Sequence, residues 1–225
     1  MAKREIVLDT ETTGLDPVDG HRIVEIACVE LINLVPTGKE LHRYCNPQRD
    51  MPEDAIAVHG LTTIFLADKP CFHDLAEELL DFIAEAPIVA HNAEFDLRFL
   101  QAELGRCARP LLTCAMVDTL QIARSKFPGS PASLDALCRR FGIDLTEREK
   151  HGALVDTRLL ARVYLELMGG KEPGLALNLE AEITVSNRLQ RQYRAPRPHA
   201  PSPDELAAHS AFLQSIKEPL WLYGE

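Results

Sequence analysis

Positive charge is in short supply in this chain. Its 225 residues carry 24 Lys and Arg against 34 Asp and Glu, a formal net charge of −10. Nucleic acid held by bulk electrostatics leaves a basic footprint, so any nucleic-acid chemistry must come from a local site. Paired cysteines are missing as well. The six thiols (Cys28, Cys45, Cys71, Cys107, Cys114, Cys138) lie far apart with no C-x-x-C, which argues against a zinc ribbon, a redox motif or a secreted cystine framework and leaves reduced, buried thiols as the expectation. Long apolar runs are absent, and the opening MAKREIVLDTET meets charge at once. Neither a signal peptide nor a membrane span is expected, and the location is read as cytoplasmic. What is present, 46% hydrophobic and 26% charged residues, is ordinary globular chemistry with enough chain to bury a core.

The composition changes near Gly169-Gly170. The stretch 171–203 brings Pro196, Pro198, Pro201 and Pro203 together with Arg188, Arg191, Arg194 and Arg197; it has too few apolar residues for a core and reads as a flexible linker. The last segment, 204–225, turns apolar again. Three parts are therefore expected: a domain over 1–170, a linker over 171–203 and a tail over 204–225. Within the domain, 6–8, 22–33 and 38–47 read as strands with short links, hence an antiparallel meander. Helical periods at 72–86, 92–104, 133–141 and 152–167 alternate with further strands at 88–90 and 113–119. The fold class is α/β, a mixed sheet flanked by helices.

Four acids stand out on this map. The first strand runs into Asp9-Thr10-Glu11, and period two puts Asp9 and Glu11 on one face. Carboxylates about 4 Å apart repel by about 4 kcal/mol at an effective dielectric of about 20, so the pair favours a cation between them; a solvated strand end is the plainer alternative. Asp96 falls on the stripe of Phe99 and Leu100, and Asp156 on that of Leu159, Leu160 and Val163. An acid on a buried face is costly unless paired or metal-bound, although an aspartate in a first turn also stabilises a helix by itself. Asp9 and His91 both end strands, where open sheets gather their sites. His91 and Asn92 are placed to orient and cap the helix that carries Asp96. His151, five residues before Asp156, belongs on the loop entering the last helix, either as a surface residue or as a base able to take a proton from water. Three aspartates, a glutamate and a histidine suit a two-metal hydrolase using magnesium or manganese.

The segments DTETTGL at 9–15, VHGL at 58–61, HNAEFD at 91–96, SLDALC at 133–138 and HGALVD at 151–156, in that order, resemble the histidine-bearing DEDD 3′–5′ exonucleases, and within them the proofreading exonucleases of bacterial replicative DNA polymerases. The likeness spans residues 4–170. It implies a ribonuclease-H-like fold, with Asp9, Glu11, Asp96 and Asp156 holding two Mg²⁺ or Mn²⁺ ions and His151 as general base. Asp9 would bridge the ions, Glu11 and Asp156 would complete the water-activating site, and Asp96 would serve the other ion. Thr12, Thr13, Gly14, His59 and Asn92 would contact the terminal nucleotide of a single-stranded 3′ end, released as a nucleoside monophosphate. The tail, DELAAHSAFLQSIKEPLW, is similar to the family's polymerase-binding end. It implies docking on the polymerase catalytic (alpha) subunit through Leu206, Phe212, Leu213, Trp221 and Tyr223, of which the aromatic side chains are the anchors usual at interfaces. The stretch where the family docks on the sliding clamp, 172–177, lacks the expected glutamine, so clamp binding is read as weak.

Three other readings compete. DTET resembles the start of haloacid-dehalogenase phosphatases, which would leave His151 idle. An RNA-trimming exonuclease of the same superfamily would share the active-site residues. A non-catalytic scaffold bound to the polymerase would not need the five site residues.

Overall fold

The computed structural model describes residues 2–146, 151–170 and 200–217. The chain divides into two compact units, Met1–Ala176 and Leu177–Glu225. In the first, β1 (Arg4–Thr12), β2 (Ile23–Ile32) and β3 (Val35–Tyr44) lead into two short helices, α1 (Glu53–His59) and α2 (Thr63–Leu66), and then α3 (Phe72–Ile83). Alternation follows: β4 (Ile88–Ala90), α4 (Ala93–Arg106), β5 (Met116–Asp118), α5 (Thr119–Lys126), α6 (Leu134–Phe141) and α7 (Ala153–Leu167). The second unit contributes α8 (Pro203–Ser215), opened by a capping box between Ser202 and Glu205.

The sheet order is β3-β2-β1-β4-β5. β1 pairs antiparallel with β2, and β2 with β3, as the expected meander requires, while β4 pairs parallel with β1 and with β5. This is the mixed sheet expected from the sequence. Alternation along β1 sorts its two faces. Ile6 and Leu8 join Ile26, Ile88, Phe99, Leu100 and Leu104 beneath α3 and α4, and Val7 joins Val29, Val89, Leu160 and Tyr164 beneath α7. Burial on both faces explains why β2 reads as an almost unbroken apolar run.

Two boundaries differ from the sequence reading for visible reasons. The third strand starts at Val35 rather than 38 because Asn33 and Leu34, with φ of 51° and 69°, turn the chain in the two residues that a twisted hairpin favours. The fifth strand is confined to Met116–Asp118 because Asp118 caps α5, its side chain accepting from Leu120 N and Gln121 N. Helices α1, α2 and α5 were not anticipated. The cysteines are all free; Cys28, Cys45 and Cys138 are buried, while Cys71, Cys107 and Cys114 are half-buried. Among the described residues no helix is long and apolar enough to cross a membrane.

Candidate active site

The site forms at the carboxyl ends of β1 and β4. Thr10 and Thr12 are buried, and between and before them Glu11 and Asp9 are half-buried, so the strand's period keeps the two acids on one face. That is the α7 face, and Asp156, buried in the first turn of α7, meets them there. Ligand atoms of Glu11, Asp156 and His151 lie within 4.8 Å of one another. His151 sits on the segment entering α7, half-exposed, with Nδ1 3.2 Å from Asp156 Oδ2. Loop placement and proximity to the acids, as expected, therefore coexist.

Asp96 comes from the opposite face. It is buried in the first turn of α4, and the Thr10 hydroxyl donates to its Oδ1 at 2.7 Å. Burial pushes the Asp96 carboxyl up to about 7, against the pull of that hydroxyl. Asp9 lies among all of these charges. Burial first, then the carboxylates of Asp96, Glu11, Asp156 and Glu25, hold its pKa well above the ordinary value. Like charges gathered in this way favour either protons or a cation.

Glu25 was missed by the sequence reading. It stands directly across from Glu11 in the ladder, is buried, and is held by His42 Nε2 at 2.7 Å. An acid between Val24 and Ile26 in a strand whose only other charge is Glu30 was the available signal.

On one side of the acids a cavity of about 560 Å³ is lined by Thr10, Glu11, Thr12, Thr13, Gly14, Leu15, Val58, His59 and Phe95, among others. Thr12 donates its hydroxyl to the Gly14 carbonyl at 2.6 Å. Glycine at position 14 leaves room for the His21 ring, which a Cβ there would approach to 2.2 Å and displace. His59 is buried at the end of α1, where Gly60, at φ 79°, closes the helix. Its Nδ1 accepts from Leu61 N at 3.0 Å, while its buried Nε2 makes no hydrogen bond of good geometry among the described residues and faces the Thr12 backbone. Burial lowers the His59 pKa, so the ring stays neutral with its proton on Nε2. The loop that closes this cavity is tied to α4: Asp16 pairs with Arg98, the Pro17 carbonyl accepts from Arg106 at 2.9 Å, and Arg22 forks onto Glu103.

Asn92 departs from expectation. It occupies the N-cap position of α4 in a left-handed conformation, φ 70°, with no side-chain cap bond. Instead its own N–H donates to Asp118 Oδ1 at 3.1 Å, because that conformation turns its side chain away from the free N–H groups of the first turn. His91 is also committed elsewhere, its Nδ1 lying 2.9 Å from the Thr119 hydroxyl.

Comparison with known proteins agrees with this geometry. A family model described as exonuclease (RNase T) matches residues 6–164. The chain is 46% identical over 222 residues to the DNA polymerase III subunit epsilon of Rickettsia felis, covering 95% of this chain and 96% of that one. It is 40% identical over 229 residues to the subunit of the same name from Escherichia coli, covering 96% and 94%. Among solved structures, exonuclease X in complex with 5′ overhanging duplex DNA aligns with a TM-score of 0.57 and 28% identity over 73% of this chain and 90% of that one. Exonuclease I aligns with a TM-score of 0.65 at 17% identity over 75% and 42%, which bears on the ribonuclease-H-like fold alone. With its five-strand mixed sheet and the acids of β1, α4 and α7 gathered at one end, the chain belongs to the exonuclease family, among the DNA polymerase III epsilon subunits.

Proposed function

We propose that this chain removes nucleotides one at a time from single-stranded 3′ ends of DNA, as the proofreading partner of a replicative polymerase in the bacterial cytoplasm. The observation that carries the reading is the convergence of Glu11, Asp156 and His151 within 4.8 Å beside an Asp9 whose ionisation is opposed by its neighbours. The donor set fits hard divalent cations, since its oxygens come from Asp9, Glu11, Asp96 and Asp156, and magnesium or manganese suit such ligands better than zinc. Two such ions would supply positive charge against the scissile phosphate and make water more acidic.

The remaining steps fall to the chain's own residues. His151 stands at the mouth of the site and takes a proton from the attacking water, a contribution of roughly 10² to 10⁴ in rate. An Nδ1–H donated to Asp156 leaves the Nε2 lone pair for that task. Phe95, Val58 and Leu15 offer apolar surface to the terminal base, and Thr12, Thr13, Gly14 and His59 offer polar groups to its sugar and phosphate. Thr10 fixes the Asp96 carboxylate.

The tail belongs to the same proposal. Residues 171–203 act as a tether, and 204–225 dock on the polymerase alpha subunit. α8 exposes Leu206 and Phe212 and buries Leu213; Trp221 and Tyr223, and the weak clamp-binding stretch 172–177, lie outside the described residues. A flexible tether of those 33 residues reaches on the order of 30 Å and raises the local concentration of nuclease beside the polymerase.

The test incubates the full chain with 5′-labelled DNA and RNA oligomers in Mg²⁺, in EDTA, and as Asp9→Ala. The expected result is a ladder shortening from the 3′ end of DNA, lost in EDTA and in the variant. Persistent cleavage by Asp9→Ala overturns the metal reading, and a preference for RNA overturns the substrate.

A further inference from the structure

The acids stand between two cavities. Toward Gly14 and Phe95 lies the 560 Å³ cavity already described. Toward α5 lies a second, of about 550 Å³, lined by Asp9, Asp156, His151, Ser133, Arg124 and others. A polymer cut at an internal linkage must leave material on both sides of the scissile phosphate. The exonuclease reading assigns the terminal nucleotide to the first cavity, whose apolar walls suit a base. The strand that stays behind then has the second.

Its lining is at first sight hostile to a phosphate, because Asp9, Asp135 and Asp156 all contribute to it. Arg124 changes that balance. It is exposed on α5, and among the described residues its guanidinium has no hydrogen-bond or ion-pair partner. The other basic group on the helix, Lys126, is committed to the Leu167 carbonyl. Ser133 opens α6, where its oxygen accepts from Ala136 N at 3.3 Å, so its O–H remains able to donate outward. His91 does not compete for an anion, because its ring is already engaged by the Thr119 hydroxyl at Nδ1 and by the Ala132 backbone.

We propose that this second cavity is the binding site for the nucleotide on the 5′ side of the cut, with the Arg124 guanidinium on that nucleotide's own phosphate and the Ser133 hydroxyl beside it. The inference rests on the exonuclease reading. It explains how an acidic chain grips a polyanion at its most acidic place: the cation is set one nucleotide away from the acids, where it attracts the strand without neutralising the site. Guanidinium suits this task because its planar fork matches phosphate oxygens.

The experiment compares a single-stranded DNA oligomer with thymidine 5′-(p-nitrophenyl phosphate), in which p-nitrophenol replaces the upstream strand. Wild type, Arg124→Gln and Arg124→Lys are assayed as full chains across a salt series. In Arg124→Gln the oligomer-to-ester ratio of kcat/KM falls about tenfold, as expected for one charge-assisted contact, and Arg124→Lys recovers most of it. Loss of one phosphate contact also flattens the dependence of log(kcat/KM) for the oligomer on log[salt] by about 0.7. An unchanged ratio, or an unchanged salt slope, overturns the proposal. A wild type inactive on both substrates in Mg²⁺ fails the exonuclease reading itself, and with it this site.

Discussion

Thr10 reaches across the end of the sheet to Asp96, its hydroxyl donating to Oδ1 at 2.7 Å. The bond joins β1 to α4 at the level of the acids, and among the described residues it is the side-chain hydrogen bond made to a carboxyl that burial pushes up to about 7. Thr10→Val keeps the shape and removes the donor. Outer partners of ligating carboxylates are worth roughly 10- to 100-fold in metal affinity or activity. The variant is expected to lose at least about tenfold in kcat/KM on a DNA oligomer while melting within a few degrees of wild type. Full activity would show that Asp96 is positioned by its helix alone.

Arg22 and Glu103 supply a separate, structural test. Arg22 Nε and Nη2 meet Oε1 and Oε2 of Glu103 at 2.6 and 2.8 Å, and the Glu103 side chain is fully buried. Breaking a buried pair by removing one partner costs about 3–5 kcal/mol, because a charge is left without compensation. Arg22→Met should fall at the low end, about 3 kcal/mol by urea denaturation, since Arg106 still reaches Glu103 at 3.3 Å. The double variant Arg22→Met with Glu103→Leu should recover most of the loss. It should still raise KM, because the loop after β1 forms a wall of the terminal-nucleotide cavity. A single variant as stable as wild type would remove the pair from the fold's supports.

The order of elements and the acids of the site were legible in the sequence because periodicity survives in long elements. Period two in β1 separated Asp9 and Glu11 from Thr10, and helical period put Asp96 and Asp156 on inward stripes. The short pieces were not legible. The seven residues of α1 and four of α2 give too few turns for an apolar stripe, so His59 could be named from its motif but not placed on a helix. α5 was hidden for another reason, since Asp118 ends one element and caps the next. Glu25 was passed over because its partners, His42 on the neighbouring strand and Glu11 across the ladder, are set by strand register, which a linear reading does not carry. Asn92 was read as a cap from residue type, and its left-handed backbone defeated that inference.

Buried thiols make the protein sensitive to alkali. Desolvation raises the Cys45 thiol from its ordinary 9.0 to about 12, and it raises Cys28 further. The sign follows from the direction: below pH 9 both folded and unfolded chains keep the proton, whereas above it the unfolded chain alone loses it. Stability is therefore complete below pH 9 and declines up to about pH 12. For Cys45 the decline between pH 8 and pH 10.5 is about 2 kcal/mol. Urea midpoints at the two pH values should converge in Cys45→Ala relative to wild type, by about that amount. Equal slopes in the two proteins would show that water reaches the thiol.

The tail prediction separates tethering from catalysis. The acids and His151 all lie within the unit ending at Ala176, whereas α8 lies in the unit beginning at Leu177. The large apolar groups at 206, 212, 220, 221, 222 and 223 cluster beyond a proline- and arginine-rich stretch with few of its own. Burial of such a cluster is worth about 25 cal/mol per Å², enough for a stable complex if one partner surface takes several of these side chains. Deleting 204–225 should abolish co-purification with the polymerase alpha subunit while leaving hydrolysis of free single-stranded DNA within about twofold of the full chain, because effective concentration matters only when both partners share one primer end. Trp221→Ala should weaken co-purification on its own, as the large aromatic anchor of an interface does. Undiminished binding by the deletion would move the polymerase contact onto the nuclease unit, and loss of free-strand hydrolysis would make the tail part of the enzyme rather than its tether.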